Sequence, residues 1–225
     1  MGKVTIQSYT TKEPITMIGA EAGICWGADT TDVQKNYNRG LSCLRSNHGR
    51  TLEFPDVYMV LDSYSARVMR EWYTHIGGSP TRLQASTRYI DYEHGFDYVT
   101  PGSIEEDEEA KQVYDDMMSS IESHLKQLDD LCIPREDSAM GLPLGMTTKV
   151  VCKHNLRNLI DMSHQRMCNR AYHEYRQLFD DVCEALSSYS EEWKFLVEKY
   201  FVPKCVLYGY CPEEHSCGLM AQIQL

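Results

Sequence analysis

The chain has 225 residues, of which 42% are hydrophobic and 10% aromatic, enough to bury a full core and to exclude a disordered chain. Its 22 basic and 33 acidic residues give a net charge of −11, which argues against DNA or RNA binding because a polyanion would be repelled. No stretch is apolar over the roughly 20 residues of a membrane span, and the N-terminus lacks a signal peptide's apolar segment. We therefore expect a cytoplasmic protein with no membrane contact, one compact domain over residues 1–225, and mostly free thiols among its nine cysteines.

Strand and helix patterns alternate in the first part of the chain. Residues 4–9 alternate like a strand, and Pro14 opens an apolar-periodic run that predicts a short helix. Residues 57–61 are rich in β-forming side chains and predict a sheet strand. Ser65 is then placed to cap a helix, which we expect to end near Gly77 because paired glycines and a following proline cannot continue it.

Two long helical regions are predicted further along. Residues 104–131 carry apolar side chains at spacings of three or four, and their acidic start is typical of a solvated helix N-terminus rather than of a metal site. Residues 146–187 form the second region. Within it Asn155, Arg166 and Arg170 would lie on one side of a helix, because eleven residues make almost three turns and four make about one.

Positive charge is concentrated in two parts of this acidic chain. Residues 67–88 carry four arginines against one acid, and residues 153–176 carry five basic residues against two acids. Guanidinium groups match phosphate and imide oxygens in geometry, so this pattern suits a small phosphorylated ligand. The alternative is that these arginines pair with the acidic stretches.

The most informative stretch is residues 75–89, which read His-Ile-Gly-Gly-Ser-Pro-Thr-Arg-Leu-Gln-Ala-Ser-Thr-Arg-Tyr. It resembles the signature of flavin-dependent thymidylate synthases (ThyX), written as Arg-His-Arg, a short spacer and Ser-x-Arg-Tyr. Upstream, His48 and Glu53 resemble the family's Gly-His-x-x-x-x-Glu element. Residues 142–144, 155–159 and 166–171 resemble its Leu-Pro, Asn-x-Arg-x-Leu and Leu-Arg-x-x-x-x-Ala-Gln-Trp-Glu blocks, with Glu174 as the last Glu.

The resemblance implies an α+β fold, with a mainly antiparallel sheet packed with long helices, in a homotetramer whose active sites lie at subunit interfaces. It also implies binding of flavin adenine dinucleotide (FAD) and hydride uptake from a reduced nicotinamide cofactor, NADPH, with NADH left open as the alternative. A one-carbon unit would pass from methylenetetrahydrofolate to deoxyuridine monophosphate (dUMP), giving dTMP. The family uses no cysteine nucleophile.

The resemblance also assigns site residues. Arg166 corresponds to the catalytic arginine that contacts the uracil and favours loss of its imide proton. The residues expected to bind the nucleotide are Glu71, Gln84, Ser86, Thr87, Arg88 and Arg166. The residues expected to bind the cofactor are Thr51, Arg70, His75, Gln84, Asn155, Arg157, Asp161 and Arg170.

Several positions depart from the family pattern. Thr74 and Ile76 stand where the signature has arginines, and Ala139 stands where an arginine helps to bind the nucleotide phosphate. Glu71 replaces a usual Gln, Gln84 replaces a usual Glu, and the gap to the Ser-x-Arg-Tyr motif is two residues longer. We hypothesise that Arg70 and Arg82 supply the missing charge.

Two alternatives to thymidylate synthesis stay open: a flavin and folate enzyme acting on another pyrimidine nucleotide, and a non-catalytic nucleotide-binding paralogue. A further question concerns a possible Cys-rich extension over residues 203–225. There Cys205, Cys211, His215 and Cys217 combine ligand types that zinc prefers, although their spacing is loose and no metal is expected.

Overall fold

The computed structural model describes residues 2–78, 80–92 and 94–222. Its sheet has four antiparallel strands in the order β1-β2-β4-β3. The strands are β1 Lys3–Ile6, β2 Asp56–Ser65, β3 Thr81–Gln84 and β4 Thr147–Asn155. Together with the helices, this sheet confirms the predicted α+β class.

Ten α-helices are found in the described residues. They are α1 Pro14–Cys25, α2 Val33–Arg45, α3 Ala66–Trp72, α4 Gly102–Glu105, α5 Glu108–Asp130, α6 Arg135–Ser138, α7 Leu156–Arg166, α8 His173–Tyr189, α9 Glu191–Tyr200 and α10 Lys204–Tyr208. Short 3-10 turns occur at Thr51–Glu53 and Ala139–Gly141. No helix of the described residues combines the length and the apolar character that crossing a membrane requires.

The chain divides into two compact units. The smaller unit comprises Met1–Gly2, Leu61–Tyr73 and Leu83–Val150, and the larger unit comprises Lys3–Val60, Thr74–Arg82 and Val151–Leu225. β2 and β4 each contribute residues to both units. The single domain over residues 1–225 stays a prediction.

The larger unit is built around α8. This helix buries one apolar face, and Leu178, Phe179 and Val182 are fully buried on it. In α9, Trp193 is also fully buried and donates its indole N–H to the Thr11 carbonyl at 2.7 Å, so its polar atom is satisfied.

The core of the smaller unit joins α5 to the loop before it and to the residue that precedes β4. Phe96, Met118, Leu125 and Met146 form a buried cluster there. Tyr114 packs against this cluster and donates its hydroxyl to the Val99 carbonyl at 3.1 Å. These contacts fix the loop before α5.

Helix boundaries confirm some expectations and correct others. Ser65 caps α3 as predicted, its hydroxyl accepting from the Val68 amide at 3.1 Å, but the helix ends at Trp72 rather than near Gly77. Residues 104–131 form two helices, because Asp107 takes an extended conformation and caps α5 through the Ala110 amide.

The prediction of one helical region over residues 146–187 is wrong. Its first part is the strand β4, in which alternate residues such as Val150 and Cys152 are buried, and the helices α7 and α8 follow. A short apolar run has a similar sequence pattern whether it forms a buried strand or a buried helix, and this ambiguity explains the error. β3 was not predicted either.

Candidate functional site

The centre of the candidate site lies in the larger unit, where Arg166 meets His75. The Nε atom of Arg166 donates to Nε2 of His75 at 2.8 Å. The Arg166 guanidinium carbon lies 4.4 Å from the centroid of the Tyr175 ring, whose side chain is fully buried. Tyr175 also meets the His75 ring edge to face, at 6.1 Å between centroids. The side chains of His75, Arg166 and Tyr175 therefore restrict one another's movement through three pairwise contacts.

His75 is kept neutral by its surroundings. Burial, together with the positive charges of Arg166 and Arg82, lowers the pKa of His75 to about 4. A guanidinium can only donate hydrogen bonds, so Nε2 of His75 is the acceptor and the ring proton lies on Nδ1. Arg82 also donates to the backbone carbonyl of His75. Ring and backbone are thus each fixed by an arginine.

Asn155 connects α7 to the turn that follows His75. Its side-chain oxygen accepts from the Asn158 amide at 2.9 Å and caps α7, and its side-chain nitrogen donates to the Gly78 carbonyl at 3.1 Å. Gly78 has a φ of +72°, and a Cβ there would lie 2.6 Å from that nitrogen. The position therefore requires glycine on two counts.

His154 lies directly before this cap and is fully buried. Its Nδ1 donates to the side-chain oxygen of Asn158. Burial lowers the pKa of His154 to about 4, and the charge of Arg82 acts in the same direction. His154 is therefore a second neutral histidine beside the candidate site.

A cleft of about 660 Å³ opens beside Arg166 in the larger unit. Its lining residues are Asp161, His164, Gln165, Arg166, Cys168, Arg170, Ala171, Lys204, Tyr208 and Glu213. This volume lies within the range of small-molecule sites. Burial lowers the pKa of His164, so this ring also tends towards the neutral form.

Three of the predicted site residues line this cleft: Asp161, Arg166 and Arg170. The expectation that Asn155, Arg166 and Arg170 share one helix face is wrong. Asn155 ends β4 and caps α7, Arg166 is the last residue of α7, and Arg170 lies in the turn beyond it.

Arg157 and Thr51 lie near the 3-10 turn Thr51–Glu53. The guanidinium nitrogen NH1 of Arg157 donates to the Glu53 carboxylate at 2.7 Å. The Thr51 hydroxyl donates to the backbone carbonyl of His48 at 2.8 Å. The two motif residues His48 and Glu53 therefore each contact a residue predicted to bind the cofactor.

The predicted nucleotide residues of the signature lie in the smaller unit. Ser86 starts a turn: its carbonyl accepts from the Tyr89 amide at 3.1 Å, and its hydroxyl accepts from the Arg88 amide at 3.3 Å. Thr87, in this turn, is half-buried. Gln84 precedes the turn and contacts the Thr148 hydroxyl at 3.4 Å.

Arg88 is exposed and forms an ion pair with Glu136 of α6, at 2.8 Å between Nε and a carboxylate oxygen. Arg135 of the same helix pairs with Asp91 at 2.8 Å. Glu71 and Arg70 lie in the last turn of α3, with Arg70 exposed. Several basic residues thus pair with acids, as the alternative interpretation of the sequence expected.

All nine cysteines are free thiols. Cys168, Cys205, Cys211 and Cys217 line a small cavity of about 10 Å³, whereas His215 is exposed and does not line it. Among the described residues, no group of three or more His, Cys, Asp or Glu could hold a metal ion. The zinc alternative therefore has no preformed cluster in the described part of the chain.

Several residues of the cleft and its surroundings are not predicted from the sequence. Tyr175 follows Glu174 of the last motif block, so its position was the available signal. Lys204, Tyr208 and Glu213 belong to the expected Cys-rich extension, in which no motif marks these side chains as ligand-binding.

Comparisons with known proteins agree with the site's motifs. A family model described as "Thymidylate synthase complementing protein" matches residues 5–189. The flavin-dependent thymidylate synthase of Pyrococcus furiosus is 28% identical over 225 residues, covering 95% of this chain and 90% of the relative. That of Clostridium tetani is 24% identical, covering 99% of this chain and 95% of the relative.

A solved structure also resembles the chain. The crystal structure of the flavin-dependent thymidylate synthase ThyX from Helicobacter pylori, complexed with FAD and dUMP, matches with a TM-score of 0.70 and 17% identity. The match covers 88% of this chain and 99% of that one, which shows the fold. Because the family model spans residues 5–189, the chain belongs to the thymidylate synthase complementing protein family, whose curated relatives here are flavin-dependent thymidylate synthases.

Proposed function

We propose that the chain is a flavin-dependent thymidylate synthase that methylates dUMP to dTMP. In this proposal methylenetetrahydrofolate is the carbon donor, FAD is the cofactor and NADPH the reductant. The observation that carries it is the contact of Arg166 with neutral His75 and with the Tyr175 ring, beside a cleft in a chain of this family.

The cleft fits part of a flavin dinucleotide. Its volume is about 660 Å³, and Arg166, Arg170 and Lys204 line it with fixed positive charge. Guanidinium and ammonium groups are suited to the phosphates of such a ligand. When bound, FAD supplies the redox chemistry, accepting hydride from the nicotinamide and passing it on.

Arg166 would act on the uracil electrostatically. The His75 and Tyr175 contacts limit the movement of its guanidinium group before any ligand arrives. A cation fixed in this way favours the deprotonated imide of the base, because little reorganisation is needed as negative charge develops.

The turn at Ser86 and the side chain of Arg88 would hold the nucleotide phosphate. Arg88 is exposed, and its pair with Glu136 is a surface ion pair of small net stability. A phosphate, with more charge and more acceptor oxygens than a carboxylate, can therefore replace Glu136 as its partner.

The homotetramer with sites between subunits is part of the proposal. It is supported by the apolar side of α5, where the side chains of Val113 and Met117 are 66% and 48% exposed although both are apolar. Ile104, Val113, Tyr114 and Met117 line a shallow, mainly apolar depression of about 420 Å³. A neighbouring subunit would cover this surface.

A cytoplasmic location belongs to the same proposal, supported by nine free thiols, which are the usual state in a reducing compartment. NADPH and methylenetetrahydrofolate are supported by the family relationship.

A different pyrimidine substrate is the second candidate. It is favoured by Ile76, which is 75% exposed and apolar where the family signature has an arginine, and by Ala139 at another arginine position. Competition between dUMP and other pyrimidine monophosphates for the loaded enzyme decides between the two candidates.

The test uses the purified full-length chain. Loaded with FAD, it should be bleached by NADPH without oxygen and should form dTMP from dUMP and methylenetetrahydrofolate. It should also restore growth to a thymidine-requiring strain, whereas Arg166→Ala should not and the exposed control Arg45→Ala should. A chain that takes up no flavin and forms no dTMP overturns the proposal.

A further inference from the structure

The C-terminal segment contributes charged side chains to the cleft beside Arg166. Lys204, Tyr208 and Glu213 line this cleft, and all three lie beyond residues 5–189 that the family model matches. Family motifs therefore assign them no role.

Glu213 lies between two cations of the cleft. One of its carboxylate oxygens accepts from Nζ of Lys204, and the other accepts from NH1 of Arg170 at 3.4 Å. All three side chains are partly buried, with exposed fractions of 34% for Lys204, 44% for Arg170 and 31% for Glu213. One carboxylate thus occupies the position between an ammonium and a guanidinium group.

The loop that carries Glu213 is held in place. Cys211 donates its amide to the Ala221 carbonyl at 2.8 Å. The Gln222 side chain donates to the backbone carbonyls of Glu213 at 2.6 Å and Glu214 at 2.9 Å. The carboxylate is therefore presented to the cleft by a closed loop rather than by a loose end.

The charges indicate what would replace Glu213. Arg170 and Lys204 converge on one anionic group, and Arg166 adds a third positive charge to the same cleft. A pyrophosphate carries more negative charge and more acceptor oxygens than a carboxylate, so it competes well for both cations. A dinucleotide cofactor contains such a pyrophosphate group.

We propose that Lys204 is a ligand-binding residue of this cleft, which together with Arg170 binds the pyrophosphate of a dinucleotide, and that Glu213 occupies its place until the ligand displaces it. The inference rests on the proposed function, in which two dinucleotides, FAD and NADPH, share this chemistry. Lys204 raises ligand affinity, and Glu213 lowers it by competition.

The test compares Lys204→Met and Glu213→Gln in the full chain. Lys204→Met should raise either the Kd of FAD or the KM of NADPH about fivefold, and Glu213→Gln should lower the same constant about twofold. The constant that changes identifies the dinucleotide. The KM of dUMP should stay unchanged in both variants.

Matched controls come from Lys126 and Asp130, an exposed ion pair on α5 with 3.5 Å between its charged atoms. Lys126→Met and Asp130→Asn should change neither constant. If the Lys204–Glu213 pair only holds the segment together, both cleft variants lose affinity and thermal stability alike, and this result overturns the inference.

An active wild-type enzyme with unchanged constants in both variants overturns the inference alone. A wild-type chain that binds neither FAD nor NADPH overturns the proposed function as well.

Discussion

Arg166 donates a hydrogen bond of 2.8 Å to the unprotonated ring nitrogen of His75. The two residues are 91 positions apart in sequence, and the contact joins the signature segment to the end of α7. This contact forms although Thr74 and Ile76 stand at the positions where the signature has its flanking arginines. The central histidine of the signature therefore orients an arginine.

Replacing Arg166 by lysine should remove most activity although the charge is kept. A lysine ammonium cannot both donate to His75 and lie flat on the Tyr175 ring, since it lacks the planar fork. We expect kcat for dTMP formation to fall roughly 100-fold. Arg45→Lys, at an exposed position of α2, is the control, and near-normal turnover in Arg166→Lys would show that charge alone suffices.

Stability should decrease as the pH falls from about 6.5 towards 4. The folded chain holds the pKa of His75 and of His154 near 4, against 6.5 ordinarily, so the unfolded chain binds more protons in this window. The free energy of unfolding is then fully retained above about pH 6.5 and is lost as the pH drops.

Urea unfolding at several pH values measures this slope. His75→Gln should reduce it, because glutamine can still accept from Arg166 but does not titrate. His94→Gln, at an exposed position, should leave the slope as it is. Equal slopes in all three proteins would contradict the assignment to His75.

Gly78 and Gly77 should respond differently to alanine. Gly78→Ala places a Cβ 2.6 Å from the Asn155 side chain at a φ of +72°, and we expect it to destabilise the chain by about 1–3 kcal/mol. A Cβ at Gly77 meets nothing closer than 3.8 Å. Thermal unfolding of both variants tests this, and equal loss in both would argue against the Asn155 contact.

Arg88→Ala should weaken nucleotide binding without destabilising the fold. The Arg88–Glu136 pair is exposed, so its loss should change the free energy of unfolding by less than about 1 kcal/mol. The KM of dUMP should rise about tenfold if Arg88 binds the phosphate. Arg135→Ala, which removes the neighbouring exposed pair with Asp91, is the matched control and should leave the KM unchanged.

Much of the fold could be predicted because local signals agreed with it. The cap at Ser65 and the proline at the start of α1 act within a few residues, and both helices begin where the sequence indicates. The sequence does not identify β4 as a strand, because its extended shape depends on pairing with strands distant in sequence.

The candidate site residues are those that the family resemblance implies, and a resemblance names residues but not their contacts. The motifs indicated both Arg166 and His75, yet the Tyr175 ring between them could not be inferred without the fold. Whether Arg70 and Arg82 replace the missing arginines stays a prediction. Arg82 lies against His75, and Arg70 is exposed on α3.

Asn155 and Arg166 lie at opposite ends of α7. Asn155 ends β4, caps the helix and holds the Gly78 turn, while Arg166 stands eleven residues away at the far end. At 1.5 Å per residue the distance from Asn155 to Arg166 along the helix is about 16 Å, so tilting α7 by about 5° about Asn155 would move Arg166 by about 1.4 Å. A displacement of that size would break the hydrogen bond between Arg166 and His75, so the position of Asn155 decides whether these two side chains meet.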